Sequence, residues 1–130
     1  MATTHLLIVT PKSKKFEGEV ELVIAPGAAG DLGALPNHAP LLTTLRIGLV
    51  KAGDVEFAVN GGFMEVLPDR VIVLTDMALA KDEVDVEAAR AELKRAEEAL
   101  AQKKGPDDSE ERAALAWAHA KLEVAGRTGE

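Results

Sequence analysis

Two prolines bracket a short polar tip in the stretch around which the chain is arranged, Gly33-Ala34-Leu35-Pro36-Asn37-His38-Ala39-Pro40-Leu41-Leu42. Pro36 and Pro40 each fix φ at about −65° and lack a backbone N–H. Each also pushes the residue before it toward extended backbone. We therefore predict a stiff corner between strands. Two interpretations stay open: the corner only shapes the fold, or it docks a partner, because a rigid loop loses little entropy on binding.

The composition describes a small domain with an aliphatic core. A chain of 130 residues suits one domain, or one domain with an appendage. Hydrophobic residues make up 47% of it but aromatic residues only 3%, so aliphatic side chains must fill the core. The sequence has no cysteine, which excludes disulfides, thiolate catalysis and cysteine-bound zinc.

The net charge of −7 disfavours nucleic acid as a partner, because a protein binds the phosphate backbone through positive charge. It equally disfavours a polybasic membrane anchor. No apolar run approaches the length of about 20 residues that a membrane span needs, and residues 1–10 lack the layout of a signal peptide. We expect no direct membrane insertion, so any membrane association goes through another protein.

Short apolar runs separated by glycine and proline fill residues 1–80. They predict strands at residues 5–10, 19–24, 41–51, 55–59, 63–67 and 70–75. The run 41–51 is expected to hinge near Gly48 and form two strands, Gly61-Gly62 is expected to end a strand, and residues 27–33 are expected to be a glycine-rich loop. Such spacing favours an all-β sandwich or barrel.

From residue 81 the composition changes to alanine, leucine and charged residues. Apolar residues recur at helical spacing in two stripes, Val86, Ala89, Leu93, Ala96 and Leu100, then Leu115, Ala118, Leu122 and Ala125. Lys103-Lys104-Gly105-Pro106 separates them, which predicts an antiparallel helical hairpin over residues 81–130. Alanine stripes bury little apolar area, so we expect a weakly held hairpin that is suited to movement.

The sequence contains no recognisable catalytic site. Its three histidines lie in three different elements and lack metal-ligand spacing. Gly27, Gly30 and Gly33 do not follow the phosphate-loop order, and no helix follows them. We therefore predict no catalytic, metal or cofactor residues, and a binding or regulatory module. The alternative from another class is a small β-fold hydrolase or sugar-binding domain with a helical tail.

Several short motifs occur in a characteristic order: Val9-Thr10-Pro11, Phe16-Glu17-Gly18-Glu19-Val20, Ala25-Pro26-Gly27, Gly30-Asp31-Leu32-Gly33, the corner, Gly61-Gly62-Phe63-Met64-Glu65-Val66 and Val71-Ile72-Val73-Leu74. With them the chain resembles the epsilon-subunit family of bacterial F-type ATP synthases over essentially its whole length. The resemblance implies an all-β N-terminal sandwich of about ten short strands near residues 1–80. It also implies a two-helix C-terminal domain over residues 81–130.

The resemblance implies a non-catalytic place in the central stalk, on the gamma subunit and the ring of c subunits. Such a subunit couples proton translocation to ATP synthesis, peripheral on the cytoplasmic face of the bacterial inner membrane. Its helical arm can extend toward the alpha and beta subunits and block ATP hydrolysis. The loop matching residues 30–33 touches the c-ring in the family. The expected partner interface is therefore Asp31, Leu32, Pro36, His38 and Pro40.

One departure concerns ATP, which some family members bind on the folded hairpin through Ile/Leu-Asp-x-x-Arg-Ala. The matching stretch here runs from Val84 to Ala89 and has Ala88 where the pattern has arginine. Arg90 lies two residues on, about 200° around a helix. Asp85 and Arg90 are thus candidates for a weak ATP contact, and we expect weak binding or none. Inhibition in the family depends on basic residues of the second helix, which here has few, so whether this arm inhibits is left open.

Overall fold

The computed structural model describes residues 2–126, which form a β domain followed by a helical hairpin. The strands are β1 Thr4–Val9, β2 Lys14–Val20, β3 Val23–Gly27, β4 Gly30–Ala34, β5 Leu41–Ala52, β6 Val55–Leu67, β7 Arg70–Leu74 and β8 Ala78–Leu79. A 3₁₀ turn, Lys81–Glu83, leads to the helices α1 Val86–Gln102 and α2 Ser109–Val124. This order confirms the predicted fold class.

The strands run in the order β2-β1-β7-β6-β5-β3-β4, with β8 paired to β6. All pairs are antiparallel except β1 with β7. The long hairpin β5–β6 lies beside β7 at its open end and beside β3 and β8 at its closed end. The sheet encloses one aliphatic core, whose most deeply buried members include Leu6, Ile8, Val23, Val59, Met64, Val66 and Val73.

Gly61-Gly62 does not end a strand, contrary to the sequence prediction. β6 continues through both glycines, which have φ of +108° and +117°. Phe57 and Val59 face the core before the pair, and Met64 faces the same core after it. A regular strand would place these odd and even positions on opposite faces. The glycines therefore invert the inward face of β6 without ending it.

The hinge predicted at Gly48 is likewise absent, and β5 is one strand of 12 residues. Dividing β5 and β6 into two strands each would give about ten strands. Because each is continuous, these residues form eight strands. The predicted strand 19–24 is divided between β2 and β3. The predicted loop 27–33 is largely β4, joined to β3 by a tight turn in which Gly27 pairs with Gly30.

The helical hairpin forms as predicted and lies folded against the sandwich. The Asp85 carboxylate caps α1 by accepting a hydrogen bond from Ala88 N at 3.1 Å. The helices meet through a small cluster of buried residues, Ala89, Leu93, Ala118 and Leu122. A second cluster joins α2 to the sandwich, where Ala120 and Val124 pack on Ala58. The hairpin is called the arm below.

Candidate functional site

The corner rests on the turn between β6 and β7. Asn37 has φ of +66°, and its N–H donates to the Pro68 carbonyl at 2.8 Å. The His38 ring places Nδ1 2.6 Å from the Ala39 carbonyl oxygen, so Nδ1 carries a proton there. Pro40 is exposed, whereas Pro36 and His38 are half-buried. The histidine is thus a hydrogen-bonding member of the corner.

Asp31 lies at the other end of β4, near the tip of the β3–β4 hairpin. Its carboxylate is exposed, but Arg46 Nη2 lies 2.7 Å from Asp31 Oδ1. Arg46 Nε also donates to the Gly27 carbonyl at 2.7 Å. Local sequence patterns do not indicate this pair, because the two residues are 15 positions apart. The Asp31 charge is therefore already paired within the chain.

The predicted interface residues do not form one surface. Leu32 is half-buried and packs against the sandwich core, so it supports the fold rather than an exposed contact. The length of β4 separates Asp31 from Pro36 by roughly 15 Å, at about 3.3 Å per residue. The structure thus offers two separate places, the hairpin tip with Asp31 and the corner with Pro36, His38 and Pro40.

A third surface, which sequence reasoning missed, is an apolar patch on the side of the sheet away from the core. The register places Phe63 beside Leu74, and Leu7 beside Ile72. Leu42, Phe63 and Leu74 are 70%, 53% and 51% exposed. We call this the outer face, consisting of Leu7, Val9, Leu42, Phe63, Ile72 and Leu74. The solvated face of an antiparallel sheet is usually polar, so this apolar face indicates an interaction surface.

A cavity of about 410 Å³ opens at one end of the outer face, between Phe63, Leu74 and the glycine pair. Its polar groups are held in place by hydrogen bonds. Thr75 Oγ1 donates to Asn60 Oδ1 at 3.1 Å, and Met77 N donates to the same oxygen at 3.0 Å. The outer face therefore has a preformed shape, which lowers the entropy cost of docking.

The opposite rim of the outer face carries an ionic cluster. His5 Nε2 lies 2.8 Å from Glu17 Oε2, and Nδ1 lies 2.6 Å from Glu19 Oε2. Because both ring nitrogens meet carboxylate oxygens, the cluster favours the imidazolium form. Hydrogen bonds, first with Glu17 and then with Glu19, raise the pKa of His5. Among the described residues no group of three or more histidine or acidic side chains could hold a metal ion.

The two ATP candidates on the arm, Asp85 and Arg90, each have a hydrogen-bond partner within the chain. The Asp85 carboxylate is engaged in the α1 cap, and Arg90 Nη1 lies 3.4 Å from Glu87 Oε1. A groove of about 390 Å³ between α1 and α2 is lined by other residues, among them Arg95, Trp117 and Lys121. Neither candidate lines that groove.

Residues 3–81 match the family described as ATP synthase, Delta/Epsilon chain, beta-sandwich domain. Residues 82–126 match ATP synthase, Delta/Epsilon chain, long alpha-helix domain. The chain belongs to the ATP synthase delta/epsilon family. The resemblance drawn from the sequence motifs is thereby confirmed.

Curated members of the delta/epsilon family align with nearly the whole chain. The ATP synthase epsilon chain of Moorella thermoacetica is 44% identical, with 97% of this chain and 98% of that one covered. The epsilon chain of Halalkalibacterium halodurans is 42% identical, with 98% and 100% covered. The epsilon chain of Desulforamulus reducens is 45% identical, with 88% and 89% covered. These relatives are a structural rather than a catalytic subunit, which confirms the expectation of a non-enzyme.

Two solved structures share the fold. One is a chain of the Euglena gracilis mitochondrial ATP synthase, resolved as OSCP/F1/c-ring, with a TM-score of 0.78 and 23% identity over 98% of this chain and 83% of that one. The other is from the Tetrahymena thermophila mitochondrial ATP synthase central stalk and c-ring, with a TM-score of 0.60 and 12% identity over 96% and 95%. In residues 2–126 no helix is long and apolar enough to cross a membrane.

Proposed function

We propose that this delta/epsilon-family chain is a non-catalytic subunit of the central stalk of an F-type ATP synthase, and that its outer face docks the gamma subunit. The observation that carries the proposal is the exposure of Phe63, Leu74 and Leu42 on one face of the sheet, where Glu65 is a charged neighbour of Leu42. An apolar patch of this kind is unfavourable in water unless a partner covers it. A rotor subunit that stays bound through every turn needs such a permanent contact.

The hairpin tip and the corner are proposed to face the c-ring. Asp31 is exposed at the tip, and Pro40 with Leu35 is exposed at the corner. Both places lie on stiff backbone, one in a tight turn and one between prolines. Contact with the ring places the subunit on the cytoplasmic face of the bacterial inner membrane and couples proton translocation to ATP synthesis. The membrane association then needs no segment of this chain in the bilayer.

The arm is proposed to be a regulatory element that leaves the sandwich and reaches the alpha and beta subunits, inhibiting ATP hydrolysis. The fully buried part of its contact with the sandwich is Ala120 and Val124 on Ala58, and Ile47, Leu49 and Trp117 are only partly buried around it. At roughly 25 cal/mol per Å² of buried apolar surface, small and partly buried side chains give only a modest docking free energy. A second position of the arm then needs to compete with only a few kcal/mol.

ATP is proposed to be at most a weak ligand of the arm. Ala88 supplies no charge where the family pattern has arginine, and Arg90 is paired with Glu87. A charge-assisted hydrogen bond typically contributes about 1.5–3 kcal/mol, so its loss weakens binding by one to two decades. Titration calorimetry with ATP tests this, and micromolar affinity would contradict it.

Co-purification with the gamma subunit and the c-ring tests the main proposal. The double substitution Phe63→Ser and Leu74→Ser should greatly reduce recovery of gamma while leaving the sandwich folded, because both side chains are exposed. Ile24→Ser is the control, an exposed apolar residue on β3 outside the outer face. Equal recovery of gamma with all three proteins would refute docking through the outer face. Catalytic turnover by the isolated chain would favour the hydrolase or sugar-binding alternative.

A further inference from the structure

The β2 edge strand contains an irregularity that redirects one side chain. In the β1–β2 register Ile8 pairs with Phe16 but Val9 pairs with Lys14. Lys15 is therefore the extra residue of a β-bulge and has no partner in the ladder. Bulges bend a strand and re-aim a side chain, and they recur at sheet edges next to functional sites.

The redirected Lys15 side chain points to the segment that joins the sandwich to the arm. Its ammonium lies 2.6 Å from Glu83 Oε2, and only 20% of the side chain is exposed. The other oxygen of Glu83 accepts a hydrogen bond from Ala80 N at 2.9 Å. These bonds, first from Ala80 and then from Lys15, lower the pKa of Glu83. One carboxylate thus joins β2, the end of the sandwich and the 3₁₀ turn before α1.

Two features of the surroundings make the Lys15–Glu83 ion pair important for holding the linker on the sandwich. Among the ion pairs within residues 2–126, Lys15 with Glu83 is the one that joins the sandwich to the arm and its linker. A cleft of about 530 Å³ lies beside it, between the sandwich, the linker and the end of α2. The cleft is lined by acidic side chains such as Asp54 and Asp82 together with Lys81 and apolar residues that include Phe16 and Phe57. The linker therefore spans a gap there rather than a tightly packed contact.

We propose that Lys15 is a latch that holds the linker on the edge of the sandwich and thereby favours the docked arm. The proposal rests on the movable arm described under the proposed function. The latch acts where the chain passes from one domain to the other, so it restrains the whole arm from its root. Breaking it leaves the α2 contact with Ala58 as the main restraint, and the arm leaves the sandwich more often.

Two matched substitutions test the latch in the isolated full-length chain. Lys15→Met keeps the apolar stem and removes the charge, and Glu83→Gln keeps an oxygen that can accept from Ala80. Lys14→Met is the control, since the neighbouring Lys14 pairs with Glu17 inside β2. Trp117 is the only tryptophan and lies at the contact between arm and sandwich, so its emission reports docking. Hydrogen exchange of the α2 amides gives an independent measure.

We expect Lys15→Met and Glu83→Gln each to increase exchange in α2 by about threefold to tenfold and to shift Trp117 emission to the red. The double variant should do no more than either single change, because both remove the same bond. Exchange in β5–β7 should stay as in the wild type. Lys15→Met behaving like Lys14→Met, additive single effects, or faster exchange throughout the sandwich would each overturn the latch. Both measurements use the isolated chain without the ATP synthase. The test of the latch therefore does not depend on whether the arm regulates the assembled enzyme.

Discussion

The guanidinium of Arg46 on β5 holds the carboxylate of Asp31 at 2.7 Å and the Gly27 carbonyl at the same distance. One side chain therefore fixes both strands of the β3–β4 hairpin near its tip. Asp31, which the family resemblance places in the partner interface, is already half of an ion pair. Its role at an interface depends on whether a partner competes with Arg46 or uses the positioned carboxylate.

Asp31→Lys is expected to weaken docking on the c-ring, because it reverses a charge on an exposed tip. The melting temperature should change little, since exposed ion pairs contribute little to stability. Arg46→Met is the matched test, because it leaves the Asp31 charge in place and unpaired. Salt-dependent reconstitution with c-ring should therefore separate the two variants. If both weaken docking equally, Asp31 acts only by shaping the hairpin.

Gly62→Ala is expected to destabilise the protein by about 2 kcal/mol or more. Gly62 has φ of +117°, and an added Cβ would overlap the Leu74 carbonyl oxygen. Gly61→Ala should cost less, because its φ is +108° but its nearest neighbour is in ordinary contact. Gly53→Ala should cost least, with φ of +61° and open space around it. Urea unfolding gives the order, and an equal loss in all three would contradict the close approach of the Leu74 backbone to Gly62.

The His5 cluster is expected to make stability depend on pH. The raised pKa of His5 means that its contribution is complete below pH 6.5 and is lost as the pH rises through the folded pKa. The pKa of Glu17 is lowered mainly by Lys14 and then by His5, and that of Glu19 by His5. Their contributions are present above about pH 4.5 and are lost as the pH falls further.

Comparing the urea midpoint at pH 5.5 and pH 8.5 measures this effect. The wild type should lose more stability between the two values than His5→Gln, since glutamine cannot take up the proton. His119→Gln is the control, because His119 is exposed on α2 and lies in none of these ion pairs. An NMR titration should place the His5 pKa above 6.5. Identical pH dependence in the wild type and His5→Gln would show that the cluster does not stabilise β2.

The arm shows which features of a helix can be predicted from the local sequence and which cannot. The Asp85 cap, the stop after Gln102 and the buried Ala89 and Leu93 follow from propensity and helical spacing. The second buried side of α2, with Ala120 and Val124, does not. A helix that packs on another helix and on a sheet has two buried sides. Its sequence periodicity is then blurred, and only the tertiary contact decides which alanines are covered.

In the sandwich, the errors came from contacts between residues far apart in the chain. A glycine pair is typical of a strand end, yet β6 continues through Gly62. Glycine is needed there because the Leu74 backbone lies too close to leave room for a side chain. That inversion also puts Phe63 on the solvent side, so the outer face could not be assembled from strand alternation. The resemblance placed Asp31 and Leu32 in one loop, whereas pairing with β3 turns Leu32 toward the core.

Two alanines of α2 should separate docking of the arm from pairing of its helices. Ala120 packs against the sandwich, and Ala118 packs against α1. Extra methylene groups in a close contact cost about 1–3 kcal/mol. Ala120→Leu should therefore release an intact hairpin from the sandwich, whereas Ala118→Leu should loosen the hairpin itself. Hydrogen exchange distinguishes them, because only Ala118→Leu should expose the amides on the α1 side that faces α2.

The same pair tests whether a released arm inhibits. In a reconstituted enzyme, Ala120→Leu should lower ATP hydrolysis, because an intact hairpin becomes free to reach the alpha and beta subunits. Ala118→Leu should lower it less, since a loosened hairpin pays an additional ordering cost before it binds. Removing the chain from Asp82 onward should raise hydrolysis while assembly with gamma survives. If the wild type and all three variants hydrolyse ATP at one rate, the arm is a passive appendage. The scarcity of basic residues on α2, chiefly Arg112 and Lys121, would then be the physical reason, with Lys121 already bound to Glu92 at 2.6 Å.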